Sequence, residues 1–269
     1  MVLLAAVVAV ACAASSGRAD GPPSVFAGAG VFVDSPDDFP GPWALADELQ
    51  AAHFTWVALH VEDLETLSLT EPLWIQVMRD HGLQVGVWGM EWQDPIVSAV
   101  VADLAIRSFG FDFYIADAEG PYEQKGAWRS SQFVQEFRSL QPTIPAALVT
   151  LGAAKAPNVL PIDFASWRNA GFSLLPEAYY NQHKGYRPDL TVAHAIRAGW
   201  PLSLVHPVIG VYHHYPASKY VPLLQADGAS GFSVYLADEA TPADFAALSQ
   251  IAAATNVVGV GSTRWQRSR

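Results

Sequence analysis

The sequence predicts a single-domain (β/α)8 TIM barrel, because eight short apolar runs alternate with eight amphipathic stretches along most of its 269 residues. The apolar runs are rich in β-branched and aromatic residues and are apolar on both faces, as parallel strands covered by helices are. We expect strands over residues 25–33, 55–60, 83–88, 111–117, 145–151, 172–178, 206–212 and 231–237. A doubly wound sheet is the alternative, but the glycines of "GAGVFVDS" lie within the first run, so no dinucleotide-binding turn is indicated.

The stretches between these runs carry the signals of helices. We expect helices over residues 42–53, 71–81, 95–108, 124–140, 161–170, 189–199, 217–226 and 242–254. Pro72, Pro95 and Pro242 stand near helix starts, where a missing N–H group costs nothing. Thr241 and Asp244 of "TPADFAALSQIAAA" form an N-cap and first-turn signature. We therefore expect one barrel over residues 21–258, with no linker and no internal repeat.

The two ends of the chain differ from the barrel region. Residues 1–20 contain a short apolar run followed by small residues, which predicts a signal peptide and a secreted, extracellular protein. The chain's one cysteine, Cys12, stands in "AVAC", which loosely resembles a lipoprotein cleavage box, so a lipid anchor at the cell surface is the alternative. Residues 259–269 are polar and basic and are expected to form a loose tail. We expect no membrane span.

Composition excludes several kinds of partner and chemistry. The net charge is −11 and the pI is about 5.0, which argues against nucleic acid as a partner. A His-Glu-x-x-His metal motif, a Gly-x-Ser-x-Gly nucleophile motif and a Gly-x-x-x-x-Gly-Lys phosphate loop do not occur in the sequence. We therefore expect neither a metal nor a cofactor, and we expect a monomer.

Polar and aromatic side chains follow seven of the eight predicted strands, at the end of the barrel where catalysis takes place in this fold. The candidate substrate-binding residues are Asp34, His60, Trp88, Glu91, Trp92, Glu177, Tyr179, Asn181, Tyr212, Tyr235 and Asp238. Four of these have structural interpretations that stay open: Asp34 and Asp238 as caps, and Trp88 and Trp92 as packing residues. The aromatic members would form walls on which sugar rings stack, and the acids would bind sugar hydroxyls.

The strongest catalytic signal is the pair Asp117 and Glu119 at the end of the fourth predicted strand, "FDFYIADAEG". Residues two apart on a strand share a face, so both acids point the same way, together with Phe113 and Ile115. Two close carboxylates repel when both are ionised, so the pair holds one proton more tightly. A carboxylic acid beside a carboxylate is the equipment for protonating a leaving oxygen. A pair of caps for the following helix is the alternative.

The stretch "DFYIADAEG" resembles the fourth-strand Asp-x-Glu of family 25 glycoside hydrolases, the secreted lysozymes that cleave peptidoglycan on a (β/α) barrel. It also resembles the Asp-x-x-Asp-x-Asp-x-Glu signature of family 18 chitinases, with Asp112, Asp117 and Glu119 matching and Ile115 in place of the remaining acid. "PEAYYNQ" is similar to the tyrosine-bearing sixth-strand segment of family 18, and the match falls on Tyr179. Neither signature is complete.

These resemblances imply an exported glycoside hydrolase acting on a polysaccharide such as peptidoglycan or a chitin-like polymer. Glu119 would be the general acid/base, and Asp117 would orient an N-acetyl oxygen or stabilise the oxocarbenium charge. Two alternatives stay open. One is a non-catalytic carbohydrate-binding surface protein on the same scaffold. The other is a metal-dependent hydrolase that uses His60, Glu119 and His213.

Overall fold

The computed structural model describes residues 24–60, 71–90, 94–119, 122, 127–151, 162–182, 184–213 and 215–259. The predicted signal segment, the tail from residue 260 onwards and the candidate residues Glu91 and Trp92 lie outside these ranges. Within the described part of the chain, no helix combines the length and the apolar character that a bilayer span requires.

Eight parallel strands close into a barrel in chain order, and β1 pairs with both β2 and β8. The strands are β1 (Gly28–Val33), β2 (Trp56–His60), β3 (Gln84–Met90), β4 (Tyr114–Asp117), β5 (Ala146–Leu151), β6 (Ser173–Glu177), β7 (Val208–Gly210) and β8 (Gly231–Tyr235). The predicted (β/α)8 barrel is confirmed. Most observed strands are shorter than the apolar runs that predict them, because flanking residues such as Val25 and Phe111 are hydrophobic but lie outside the ladder.

Helices follow the strands around the outside of the barrel. The α-helices of the described residues are α1 (Pro42–Ala51), α2 (Glu71–Asp80), α3 (Pro95–Phe109), α4 (Ala127–Leu140), α5 (Phe164–Asn169), α6 (Pro188–Arg197), α7 (Val221–Asp227) and α8 (Pro242–Gly259). Short 3-10 turns occupy Pro36–Asp38, Leu202–Leu204 and Ala217–Lys219. The predicted helix 217–226 is therefore divided into a 3-10 turn and α7.

The ends of α3 show why the sequence folds in this way. The Asp94 side chain accepts a hydrogen bond from the Ile96 backbone N–H at 3.0 Å, which caps the first turn. Gly110 ends the helix in the left-handed conformation, where a residue without a Cβ is favoured. The chain then enters β4, which ends at the first candidate acid, Asp117, two residues before Glu119.

The barrel interior is filled by aromatic side chains up to the level of the strand ends. Phe26, Trp56 and Phe113 meet edge to face, with ring centroids 5.2 to 5.7 Å apart. Gly86 makes room for them, since a Cβ at this position would lie 2.1 Å from the Phe113 ring. A second cluster lies between the sheet and the helices. The interior is therefore a packed core, and the open end lies above it.

Asp112 does not belong to that open end. Its carboxylate accepts a hydrogen bond from the Val85 backbone N–H at 2.9 Å and pairs with Arg79 at 2.9 Å, at the start of β4. Asp112 therefore links α2, β3 and β4, although its position matches an acid of the family 18 signature.

Candidate functional site

Alternation along the strands determines which side chains enter the mouth of the barrel. Phe32, Ala58, Ile115 and Leu175 all belong to the interior cluster, so the residues two positions further along each strand point to the same side. These next residues are Asp34, His60, Asp117 and Glu177. The interior is therefore apolar at its lower levels and becomes polar where the strands end.

Three carboxyl groups meet in this mouth. Oxygen atoms of Asp117, Glu119 and Glu177 all lie within 4.8 Å of one another. Asp117 and Glu119 come from the end of β4 and are half-buried, whereas Glu177 ends β6 and is only 5% exposed. Asp117 and Glu119 do point the same way, as the alternation along β4 predicts. The capping alternative does not account for their meeting a carboxyl group from another strand.

From the sequence, Glu177 is predicted to bind sugar and not to lie beside the acid pair. The available signal is the alternation of β6, in which Leu175, Glu177 and Tyr179 share the interior face. The closure of the barrel determines which strand ends lie near one another. The alternation pattern of one strand does not reveal this.

Tyrosine side chains form one wall of the mouth. Tyr179 and Tyr212 meet edge to face at 5.4 Å, and Tyr235 stacks on Tyr179 at 5.8 Å. Burial, together with the charges of Glu177 and Asp117, raises the pKa of Tyr179 well above its ordinary value. Burial is also the main cause that raises the pKa of Tyr212 and Tyr235. All three phenols therefore keep their protons and can donate hydrogen bonds.

On the β1–β3 side, His60 is held between an acid and an indole. Its Nδ1 lies 2.6 Å from the Asp34 carboxylate, and its ring stacks on Trp88 with centroids 3.9 Å apart. This hydrogen bond is the main cause that lowers the pKa of Asp34. The Trp88 Nε1–H in turn donates to the Val33 carbonyl oxygen at 3.1 Å. The side-chain partner of Asp34 therefore comes from the neighbouring strand, β2.

Trp88 differs from the expected sugar-stacking wall. It is 2% exposed, and His60 covers one face of its indole, so the packing interpretation describes it better. Asn181 is likewise engaged by the protein, because its Nδ2 donates to the Tyr212 carbonyl oxygen and its Oδ1 accepts from the Tyr220 hydroxyl. Trp88 and Asn181 therefore stabilise the walls of the mouth, and their indole and amide groups are engaged by other residues of the protein.

Asp238 follows β8 and is half-buried beside the mouth. Burial raises its pKa, and the neighbouring charge of Asp34 adds to the effect. Close by, Glu239 accepts a hydrogen bond from the His213 backbone N–H at 2.9 Å. Glu239 thus ties the loop after β8 to the one after β7.

Among the described residues, one set of side chains is close enough to share a metal ion, and it is the oxygen-only trio Asp117, Glu119 and Glu177. His60 and His213 do not join Glu119 in this set, so the geometry contradicts the metal alternative based on those histidines. Three carboxylates are ligands for a hard cation such as Mg²⁺ or Ca²⁺. The same three groups are also able to store and transfer a proton.

No protein-family model matches the sequence, and neither does any curated protein. Solved structures do match the fold. A family 18 chitinase of Cycas revoluta, crystallised with (GlcNAc)3, matches with a TM-score of 0.63 at 11% identity, covering 85% of this chain and 99% of that one. The catalytic domain of a hyperthermophilic chitinase of Pyrococcus furiosus gives 0.59 at 9% identity, covering 90% and 99%.

A third match is the spore cortex-lytic enzyme of Bacillus cereus, with a TM-score of 0.63 at 8% identity, covering 85% of this chain and 74% of that one. The likeness to family 25 stays a prediction. At these identities the comparisons concern architecture, and they show that the chain has a (β/α)8 barrel fold similar to that of family 18 chitinases.

Proposed function

We propose that this protein is a glycoside hydrolase that cleaves an N-acetylated polysaccharide, such as peptidoglycan or a chitin-like polymer, by carboxylate acid/base catalysis. The observation that carries the proposal is the meeting of Asp117, Glu119 and Glu177 at the mouth of the barrel. Cleavage of a glycosidic bond needs an acid that protonates the leaving oxygen and a group that stabilises positive charge on the sugar. Close carboxyl groups in a half-buried setting supply both.

In this reaction Glu119 donates its proton to the glycosidic oxygen and later removes a proton from the attacking water. Asp117 orients the N-acetyl oxygen or stabilises the oxocarbenium charge. Tyr179 follows β6, packs with the interior cluster and donates a hydrogen bond from its neutral hydroxyl to the substrate. Asp34 and Asp238, on the other side of the mouth, bind sugar hydroxyls. The aromatic wall of Tyr212 and Tyr235 contacts the sugar rings.

The spacing of the acids supports retention of anomeric configuration. In inverting enzymes the two carboxyl groups stand roughly 6.5–9.5 Å apart, which leaves room for a water molecule between acid and base. Here the oxygens approach within 4.8 Å. We propose that the first attack comes from a group on the substrate or the protein and not from such a water.

Export belongs to the proposal as well. The apolar segment within residues 1–20 supports delivery to the cell surface, where these polysaccharides occur, either as a secreted protein or anchored at Cys12.

The test compares wild-type protein with Glu119→Gln on chitotetraose and on purified peptidoglycan, with release of reducing ends as the measurement. We expect a loss of at least about 100-fold, since general acid catalysis contributes on the order of 10²–10⁴. Glu136→Gln, an acid on the outer helix α4, is the matched control and keeps full activity. Binding of glycan with equal, background-level hydrolysis by all three proteins would instead establish the carbohydrate-binding alternative.

A further inference from the structure

The proposed reaction gives no role to His60, although the fold places this residue at the mouth of the barrel. His60 ends β2 and shares the interior face of that strand with Trp56 and Ala58. Its side chain is only 9% exposed, whereas the Asp34 side chain that it contacts is 43% exposed. The imidazole is therefore buried, and the carboxylate beside it is open to the mouth.

The hydrogen bond between these two side chains has a defined direction. It lowers the pKa of Asp34, so this group is ionised, and an ionised carboxylate only accepts hydrogen bonds. The proton between the His60 Nδ1 and the Asp34 Oδ1, which lie 2.6 Å apart, therefore belongs to the imidazole. The His60 Nε2 is buried and has no hydrogen-bond partner in the described part of the chain. Within that part, the imidazole directs its hydrogen bonding to Asp34.

Trp88 restrains both members of the pair. Its indole stacks on the His60 ring with centroids 3.9 Å apart and ring planes 11° from parallel. Its Nε1–H donates to the Val33 carbonyl oxygen at 3.1 Å, and this carbonyl belongs to the peptide bond that leads into Asp34. Neighbouring strands thus hold the side chain of Asp34 through His60 and its backbone through Trp88.

Asp34 faces the same space as the acids of β4 and β6. Burial, followed by the charges of Asp34, Asp117 and Glu177, raises the pKa of Tyr235 at the end of β8. Tyr235 therefore lies within electrostatic reach of Asp34 as well as of the two other acids. A ligand in the mouth that reaches Asp117 is consequently also close to Asp34.

We propose that His60 is a positioning residue for Asp34, whose carboxylate it holds through one oxygen so that the other accepts a hydrogen bond from a hydroxyl of the sugar substrate. This role rests on the proposed function. A charged acceptor forms a stronger hydrogen bond than a neutral one. A carboxylate that the protein has already fixed also loses less side-chain freedom when the substrate binds.

Two replacements of His60 separate the hydrogen bond from the ring. His60→Asn keeps an N–H donor close to the position of Nδ1 and loses the ring, whereas His60→Phe keeps a ring on Trp88 and loses the donor. We expect His60→Phe to lower kcat/KM for chitotetraose about tenfold, mainly through KM, and His60→Asn to stay within about threefold of wild type. His81, which follows α2, pairs with Asp47 of α1 at 3.0 Å, and His81→Phe is the matched control with unchanged kcat/KM.

A double-mutant cycle with Asp34→Ala tests whether His60 acts through Asp34. We expect His60→Phe to lower kcat/KM no further once residue 34 is alanine. Losses that multiply in the double variant would overturn the proposal, and so would a His60→Asn variant as impaired as His60→Phe.

Proton NMR of protein labelled with ¹⁵N-histidine examines the hydrogen bond without any substrate. We expect a far-downfield Nδ1–H signal that is absent from His60→Phe and shifts upfield in Asp34→Ala. A His60 ring that carries its proton on Nε2 alone would overturn the proposal.

Failure of the proposed function gives a different pattern of results. If the wild-type protein binds chitotetraose or peptidoglycan without hydrolysing it, the proposed function fails. The same double-mutant cycle, measured on Kd by calorimetry, then decides the role of His60. If the protein neither binds nor hydrolyses these glycans, the proposed function and the positioning role are both overturned.

Discussion

His206 gives the sharpest prediction about stability. It lies two residues before Val208 of β7, is fully buried, and its ring faces Phe26 at 6.4 Å in the barrel interior. Neither ring nitrogen has a hydrogen-bond partner in the described part of the chain. Burial lowers the pKa of His206 from 6.5 to about 3. The folded protein therefore holds this histidine neutral throughout the physiological range.

The sign and size of the effect follow from linkage. The folded-state pKa lies below the unfolded value, so the unfolded chain binds the proton first as the pH falls. The contribution of neutral His206 to the free energy of unfolding is therefore complete above pH 6.5 and is lost progressively as the pH falls to about 3. Each pH unit costs about 1.36 kcal/mol, so the loss at pH 5 is about 2 kcal/mol.

The assay is urea denaturation of wild-type protein and His206→Leu at about pH 7.5 and about pH 5, with the free energy of unfolding as readout. We expect the difference between the two proteins to shift by about 2 kcal/mol in favour of the leucine variant at the lower pH. His53→Asn, a change at an exposed histidine with a positive φ, is the control and produces no such shift. Parallel pH curves for wild type and His206→Leu would refute the reasoning.

Two further changes test the packing and the charge balance of the barrel. A Cβ on Gly86 would lie 2.1 Å from the Phe113 ring, so Gly86→Ala should lower the free energy of unfolding by about 3 kcal/mol or more. A Cβ on Gly185 would meet no atom within 4 Å, so Gly185→Ala should change the free energy of unfolding by less than about 0.5 kcal/mol. Equal urea midpoints for the two alanine variants would contradict the packing argument. Burial raises the pKa of Asp227 to about 7, so its neutral form is favoured and stability is lost as the pH rises from 3.8 through that value. The free energy of unfolding of Asp227→Asn, relative to wild type, should therefore rise by up to about 4 kcal/mol between pH 4 and pH 8. A difference between the two proteins that stays constant over this range would contradict the prediction.

Much of the fold could be predicted because its signals are local. Apolar runs set the strands, and prolines set helix starts, as Pro95 and Pro242 do. Alternation also predicts correctly that Asp117 and Glu119 point the same way. Strand ends were less predictable, since β7 uses only Val208–Gly210 of the apolar run 206–212. At the rim of a barrel, the hydrophobicity of a residue does not show whether its backbone forms hydrogen bonds with the neighbouring strand.

The partners of the site residues could not be predicted, because they come from elsewhere in the chain. His60 meets Asp34 and covers Trp88 only because β1, β2 and β3 are adjacent in the closed sheet. Glu177 reaches the acids of β4 across an intervening strand. Sequence patterns identify which face each of these residues occupies, and closure of the barrel determines which faces meet.

The apolar interior and the acidic mouth act together. Below the acids on β4, Phe113 and Ile115 are fully buried in the interior cluster. An apolar surrounding on this side has a low dielectric constant, which strengthens the electrostatic interactions among the carboxyl groups. Replacing Ile115 with a smaller residue would leave a space beneath Asp117 and weaken these interactions. The packing of β4 thus affects the electrostatics of the site two residues away, through the same alternation that places the acids.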